Sequence, residues 1–140
     1  MTQSILLVGR KSYLGHNLWS QLKDSHSFEI YPDNDDKLSE NDLKRAFRER
    51  VATQGINWIL IIPSPNLLCR VKVFQALKEV FSEAVRDGAD KLPNVMFFSH
   101  VGADEMARKD DRKILAQFFG FEKFLFSTFK DARQAVIVIR

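Results

Sequence analysis

Short apolar runs alternate along the whole chain with longer stretches of helical periodicity. Residues 4–8 (SILLV), 28–31, 58–62 (WILII), 95–99 (VMFFS) and 135–139 (AVIVI) each have the length of a buried strand. Between the first two, 13–22 (YLGHNLWSQL) puts Tyr13 or Leu14, Leu18 and Leu22 near helical spacing. Ser39 followed by Asp42 reads as an N-cap, opening a helix through about Val51 with Leu43, Ala46, Phe47 and Val51 on one face. A longer helix is predicted over 67–86, with Val71, Phe74, Leu77, Phe81 and Val85 along its apolar side and Gly88 as its stop. The last predicted helix covers about 112–129. Phe118, Phe121, Leu125 and Phe129 lie on one side of it, and Leu115, Phe119, Phe124 and Phe126 widen that side beyond a stripe.

Strands that are apolar throughout, rather than at every second residue, need cover on both faces. Helices between them supply it, which requires parallel strands and crossover connections. The pattern therefore predicts an α/β protein: a Rossmann-like, doubly wound parallel sheet of about five strands flanked by helices. No internal repeat or linker interrupts it, so 1–140 is expected to be a single domain with no separate substrate domain.

Composition narrows the function. The chain has 140 residues, 45% of them hydrophobic, which excludes collagen-like and disordered classes. Its one cysteine, Cys69, cannot form an internal disulfide, which suits a reducing, cytoplasmic setting. Cys69 opens an apolar helix and reads as packed rather than reactive. The apolar runs are too short to span a bilayer, and the N-terminus lacks the basic flank of a signal peptide. His16, His26 and His100 offer no metal-ligand spacing. A net charge of +3 is too small to indicate nucleic-acid binding, and the basic residues of 107–113 (ARKDDRK) are half cancelled by their own aspartates.

Ligands in doubly wound sheets bind beyond the carboxyl ends of the strands, so the turn after the first strand matters most. It reads Gly9-Arg10-Lys11-Ser12-Tyr13-Leu14-Gly15. This resembles the G-x-x-G-x-x-G fingerprint of extended and atypical short-chain dehydrogenases/reductases, including the NmrA-like group. Gly9 and Gly15 stand at the first and third glycine positions, and Ser12 replaces the middle one. Small residues there permit the turn, backbone approach to a pyrophosphate and close helix–strand packing. The resemblance implies binding of NAD or NADP by Gly9, Arg10, Lys11, Ser12, Tyr13, Leu14 and Gly15, with Asp33 accepting the ribose hydroxyls. On the residues alone, Ser12 equally serves as a helix cap and Asp33 as part of a solvated acidic loop. A Walker loop is excluded because Lys11-Ser12 lacks the upstream glycine.

The resemblance extends through NVMFFSHVGAD and AVIVIR to essentially the whole chain. Family members reduce or oxidise carbonyl compounds with a Tyr-x-x-x-Lys pair. The matching stretch is Phe119-Gly120-Phe121-Glu122-Lys123, so Lys123 takes the lysine position and Phe119 the tyrosine position. A phenyl ring has no proton to move, which points away from standard redox catalysis. Lys123 and Ser99, after the fifth strand of the family pattern, are read as remnants of the site, with His100 beside Ser99.

Three functions follow. The first is an NAD(P)-binding sensor or regulatory protein of the NmrA-like type. The second is a cofactor-free, Rossmann-shaped interaction or dimerisation module. The third is an oxidoreductase completed by another chain. The family's corresponding helices often form a subunit interface, so a homodimer or partner protein is expected through 67–86 and 112–129.

Overall fold

The computed structural model describes residues 4–9, 13–24, 27–30, 39–53, 55–63, 67–88, 92–100 and 113–140. In chain order they form β1 (Ser4–Val8), α1 (Tyr13–Leu22), β2 (Ser27–Ile30), α2 (Glu40–Arg48), a π turn over Glu49–Thr53, β3 (Trp58–Ile61), α3 (Leu67–Asp87), β4 (Asn94–Phe98), α4 (Lys113–Thr128) and β5 (Val136–Ile139). The five strands pair in parallel in the order β2-β1-β3-β4-β5. This is the doubly wound, Rossmann-like α/β sheet that the apolar runs require. Among the described residues, no helix is long and apolar enough to cross a membrane.

Register sorts the strand side chains into two faces. Leu7, Leu60, Met96 and Ile137 align in one row, and Val8, Ile61, Phe97 and Val138 in the next. Because successive residues of a strand point to opposite sides, adjacent rows belong to different cores. The larger core joins Leu6, Val8, Ile59, Ile61, Val95 and Phe97 to α2, α3 and α4. The smaller joins Ile5, Leu7, Leu60 and Ile62 to Leu18 and Trp19 of α1. The sheet's cover is thus lopsided.

Aromatic rings fill the larger core. Phe121 of α4 stacks on Phe74 of α3 at 4.4 Å and meets Phe97 of β4 edge-on at 4.9 Å. Phe129 meets Phe81 edge-on at 5.6 Å. All four positions predicted for the apolar side of the last helix are buried; of the residues that widen it, Phe119 and Phe124 pack partly buried against the core and Phe126 is exposed. Helix α3 departs from the sequence pattern. Phe74, Leu77 and Phe81 are buried as expected, but Val71 and Val85 are exposed, and Val73, Ala76, Val80 and Ala84 complete the buried stripe. A helix lying between two neighbours buries a wider arc than one facing the sheet alone, and α3 packs against both α2 and α4. In α1 the buried residue is Gly15, whereas Tyr13 and Leu14 point outward. Leu18 and Trp19 make its sheet contact.

Helix α2 begins on a complete capping box. The Asp42 N–H donates to Ser39 Oγ (3.1 Å), and the Ser39 N–H and hydroxyl both donate to the Asp42 carboxylate (3.3 and 2.9 Å). The helix widens into the π turn after Arg48, which still delivers Val51 to the core. Lys44 and Arg48 tie α2 to α3 through Glu79 (2.7 Å) and Glu83 (2.8 Å). Side-chain amides bridge the amino edge of the sheet. Asn57 Oδ1 accepts from the Ser4 N–H (2.9 Å), Asn94 Nδ2 donates to the Asn57 carbonyl (3.1 Å), and Asn94 Oδ1 accepts from the Ala135 N–H (2.9 Å).

Two predictions follow from this packing. Phe121→Ala removes a fully buried ring from the aromatic stack and is expected to cost about 3–5 kcal/mol in denaturant unfolding. Hydrogen bonds from Ser39 hold the Asp42 carboxyl below its usual range, and Arg48 does the same to Glu83. Such depressed groups add stability above their unfolded pKa and lose it as pH falls through the folded one. Melting temperature should therefore fall on acidification below the ordinary carboxylate range, and less steeply in Ser39→Ala, as circular dichroism melts would read.

Candidate functional site

The strand order reverses beside β1, whose neighbours are β2 on one side and β3 on the other. Helices α1 and α3, which follow β1 and β3, pack on opposite faces of the sheet, and doubly wound sheets place their ligand crevice at the carboxyl ends of two such strands. Gly9 lies at the mouth of that crevice with φ +108°, a backbone conformation that side-chain-bearing residues rarely adopt. A Cβ on Gly9 would collide with the Ile62 carbonyl oxygen and stand 2.9 Å from Ile62 Cβ. The Ile62 N–H meanwhile donates to the Val8 carbonyl at 2.8 Å, so the end of β3 is clamped against the turn. Two requirements, conformation and space, therefore select glycine at this position.

Helix α1 starts at Tyr13, close after the turn, and Gly15 in its first turn is buried. The Tyr13 and Leu14 side chains in that first turn are exposed. Helix N-termini present unsatisfied N–H groups and a positive dipole end, which suits an anionic group. Arg10, Lys11, Ser12 and Asp33 lie outside the described residues. Of the fingerprint, the structure describes Gly9, with its positive φ and no room for a Cβ, and Gly15, which is buried in α1.

A second polar group sits at the carboxyl ends of β4 and β5. Ser99 follows β4, and its hydroxyl donates to Glu122 Oε2 at 2.6 Å. Arg140 follows β5 and donates to Glu122 Oε1 from Nη2 (2.7 Å) and Nε (3.2 Å). The Glu122 side chain is 3% exposed and that of Arg140 46%. One buried carboxylate thus links two strand ends to α4, with a guanidinium reaching solvent.

Lys123, the next residue, is exposed and holds its Nζ 5.6 Å from the Phe119 ring. One residue along a helix rotates the side chain by about 100°, which separates the two neighbours. His100 is exposed, its ring 6.1 Å from that of Phe118. Cys69 is buried, as its apolar setting predicted. Arg70 is also buried: it donates to Gln117 Oε1 at 3.1 Å and lies over the Phe118 ring, and desolvation pulls its pKa below the ordinary arginine value. Among the described residues, no group of three or more His, Cys, Asp and Glu is placed to hold a metal.

Sequence reasoning missed Glu122, although a signal was present. It stands four residues after Phe118 and three before Leu125, on the stripe that faces the core. A carboxylate there must find partners, because an unpaired buried charge is very costly.

The chain matches no family model and no curated protein. Solved structures do match. The capsular polysaccharide assembling protein CapF from Staphylococcus aureus aligns at 17% identity and TM-score 0.62, covering 97% of this chain and 34% of CapF. DdhaC aligns at 12% identity and TM-score 0.69, covering 99% of this chain and 46% of DdhaC. RMD from Pseudomonas aeruginosa, solved in complex with NADPH, aligns at 13% identity and TM-score 0.51, covering 97% of this chain and 51% of RMD. The chain spans a third to a half of these neighbours. At such identities the likeness is one of fold alone.

The Ser99–Glu122–Arg140 group predicts an asymmetric response to mutation. Arg140→Met leaves a buried carboxylate without its cation and is expected to cost about 3–5 kcal/mol. Glu122→Gln keeps a hydrogen-bonding amide and leaves Arg140 in contact with water, at about 1–2 kcal/mol. Urea denaturation of the two variants measures the difference.

Proposed function

We propose that this chain is a dinucleotide-binding domain that holds NAD or NADP at the bend between β1 and α1 and serves a sensing or regulatory role. The observation that carries the reading is the Gly9 turn: left-handed, lacking room for a Cβ, and set where the strand order reverses. Gly9 and Gly15 would let main chain approach the diphosphate, and the N–H groups of Tyr13 and Leu14 would face it at the helix end. Arg10 and Lys11 would add positive charge, Ser12 would donate its hydroxyl in place of the missing glycine, and Asp33 would accept the ribose hydroxyls. The neighbour solved with NADPH supports the ligand class.

A bound nicotinamide cofactor supplies hydride-transfer chemistry. This chain does not offer the usual proton donor beside it, because Phe119 occupies the tyrosine position and Lys123 is exposed. Ser99 is held by Glu122 rather than facing a tyrosine. The reading is therefore binding without standard redox turnover, by a single domain over 1–140 working in a reducing cytoplasm.

A second reading, a cofactor-free interaction module, is favoured by apolar side chains left outside the core. Leu68 (70% exposed) and Phe126 (53% exposed) lie on α3 and α4, the helices expected to carry a homodimer or partner contact. Calorimetric titration with NAD, NADH, NADP and NADPH separates the two. Binding with Kd below about 1 mM for at least one nucleotide is expected. Lys11→Glu should weaken it, and Asp33→Ala should shift preference toward the phosphorylated pair. Absence of heat and of any thermal shift at millimolar nucleotide would overturn the dinucleotide reading and leave the interaction module.

A further inference from the structure

We draw no further inference here: the strongest candidate, the hollow of about 280 Å³ at the amino edge of the sheet between the π turn and the starts of β4 and β5, is lined by uncharged side chains whose Asn57 and Asn94 amides already tie neighbouring strands together, and nothing in the structure shows what would fill it.

Discussion

A parallel sheet whose strands are apolar on both sides must be buried from both sides, and most of this structure follows from that requirement. Each strand reaches its parallel neighbour only through a crossover, and each crossover here is a helix that covers the sheet. The direction of travel then decides the face. The step from β1 to β2 moves one way across the sheet, and the steps to β3, β4 and β5 move the other way. Right-handed connections therefore put α1 on one side and α2, α3 and α4 on the opposite one. The crevice where direction reverses is a by-product of the same geometry, and Gly9 is the residue that lets the chain turn there without striking β3.

Much of this arrangement was legible before any coordinates. Four apolar runs and the short candidate at 28–31 became five strands, and the Ser39–Asp42 spacing became a complete capping box, because these signals are local. The aromatic stripe of α4 was equally plain, since Phe118, Phe121, Leu125 and Phe129 keep strict helical spacing. The side chains of α3 were harder to place. A helix flanked on two sides can bury Val73 and Val80 in one flank while Val71 and Val85 stay wet, and periodicity alone does not say how wide the buried arc will be. The outward turn of Tyr13 and Leu14 has a comparable cause. Gly15 is the buried residue of that turn, and its neighbours, about 100° and 200° round the helix, face away.

At the carboxyl edge, legibility divides between backbone and side chain. The Gly9 bend was evident because glycine in that setting has few other uses. The Ser99–Glu122–Arg140 group depends on side chains brought together from three separate elements, and no spacing in the sequence encodes that meeting. Its trace was a single charged residue in an apolar stripe. The two edges of the sheet also differ in kind. Amides of Asn57 and Asn94 tie neighbouring strands together at the amino edge, whereas beyond β4 and β5 the carboxyl edge carries a charged cluster.

Strand β5 has only one strand neighbour among those described, and half of its side chains touch water. Such a strand is ordinarily the first to fray. Here each extremity is fastened by a polar tether: Asn94 grips the Ala135 amide where the strand begins, and Glu122 grips the Arg140 guanidinium where it ends. A ribbon pinned at both ends does not peel residue by residue. It lets go as a unit or stays, so the outermost strand shares the fate of β4 and α4 rather than loosening ahead of them.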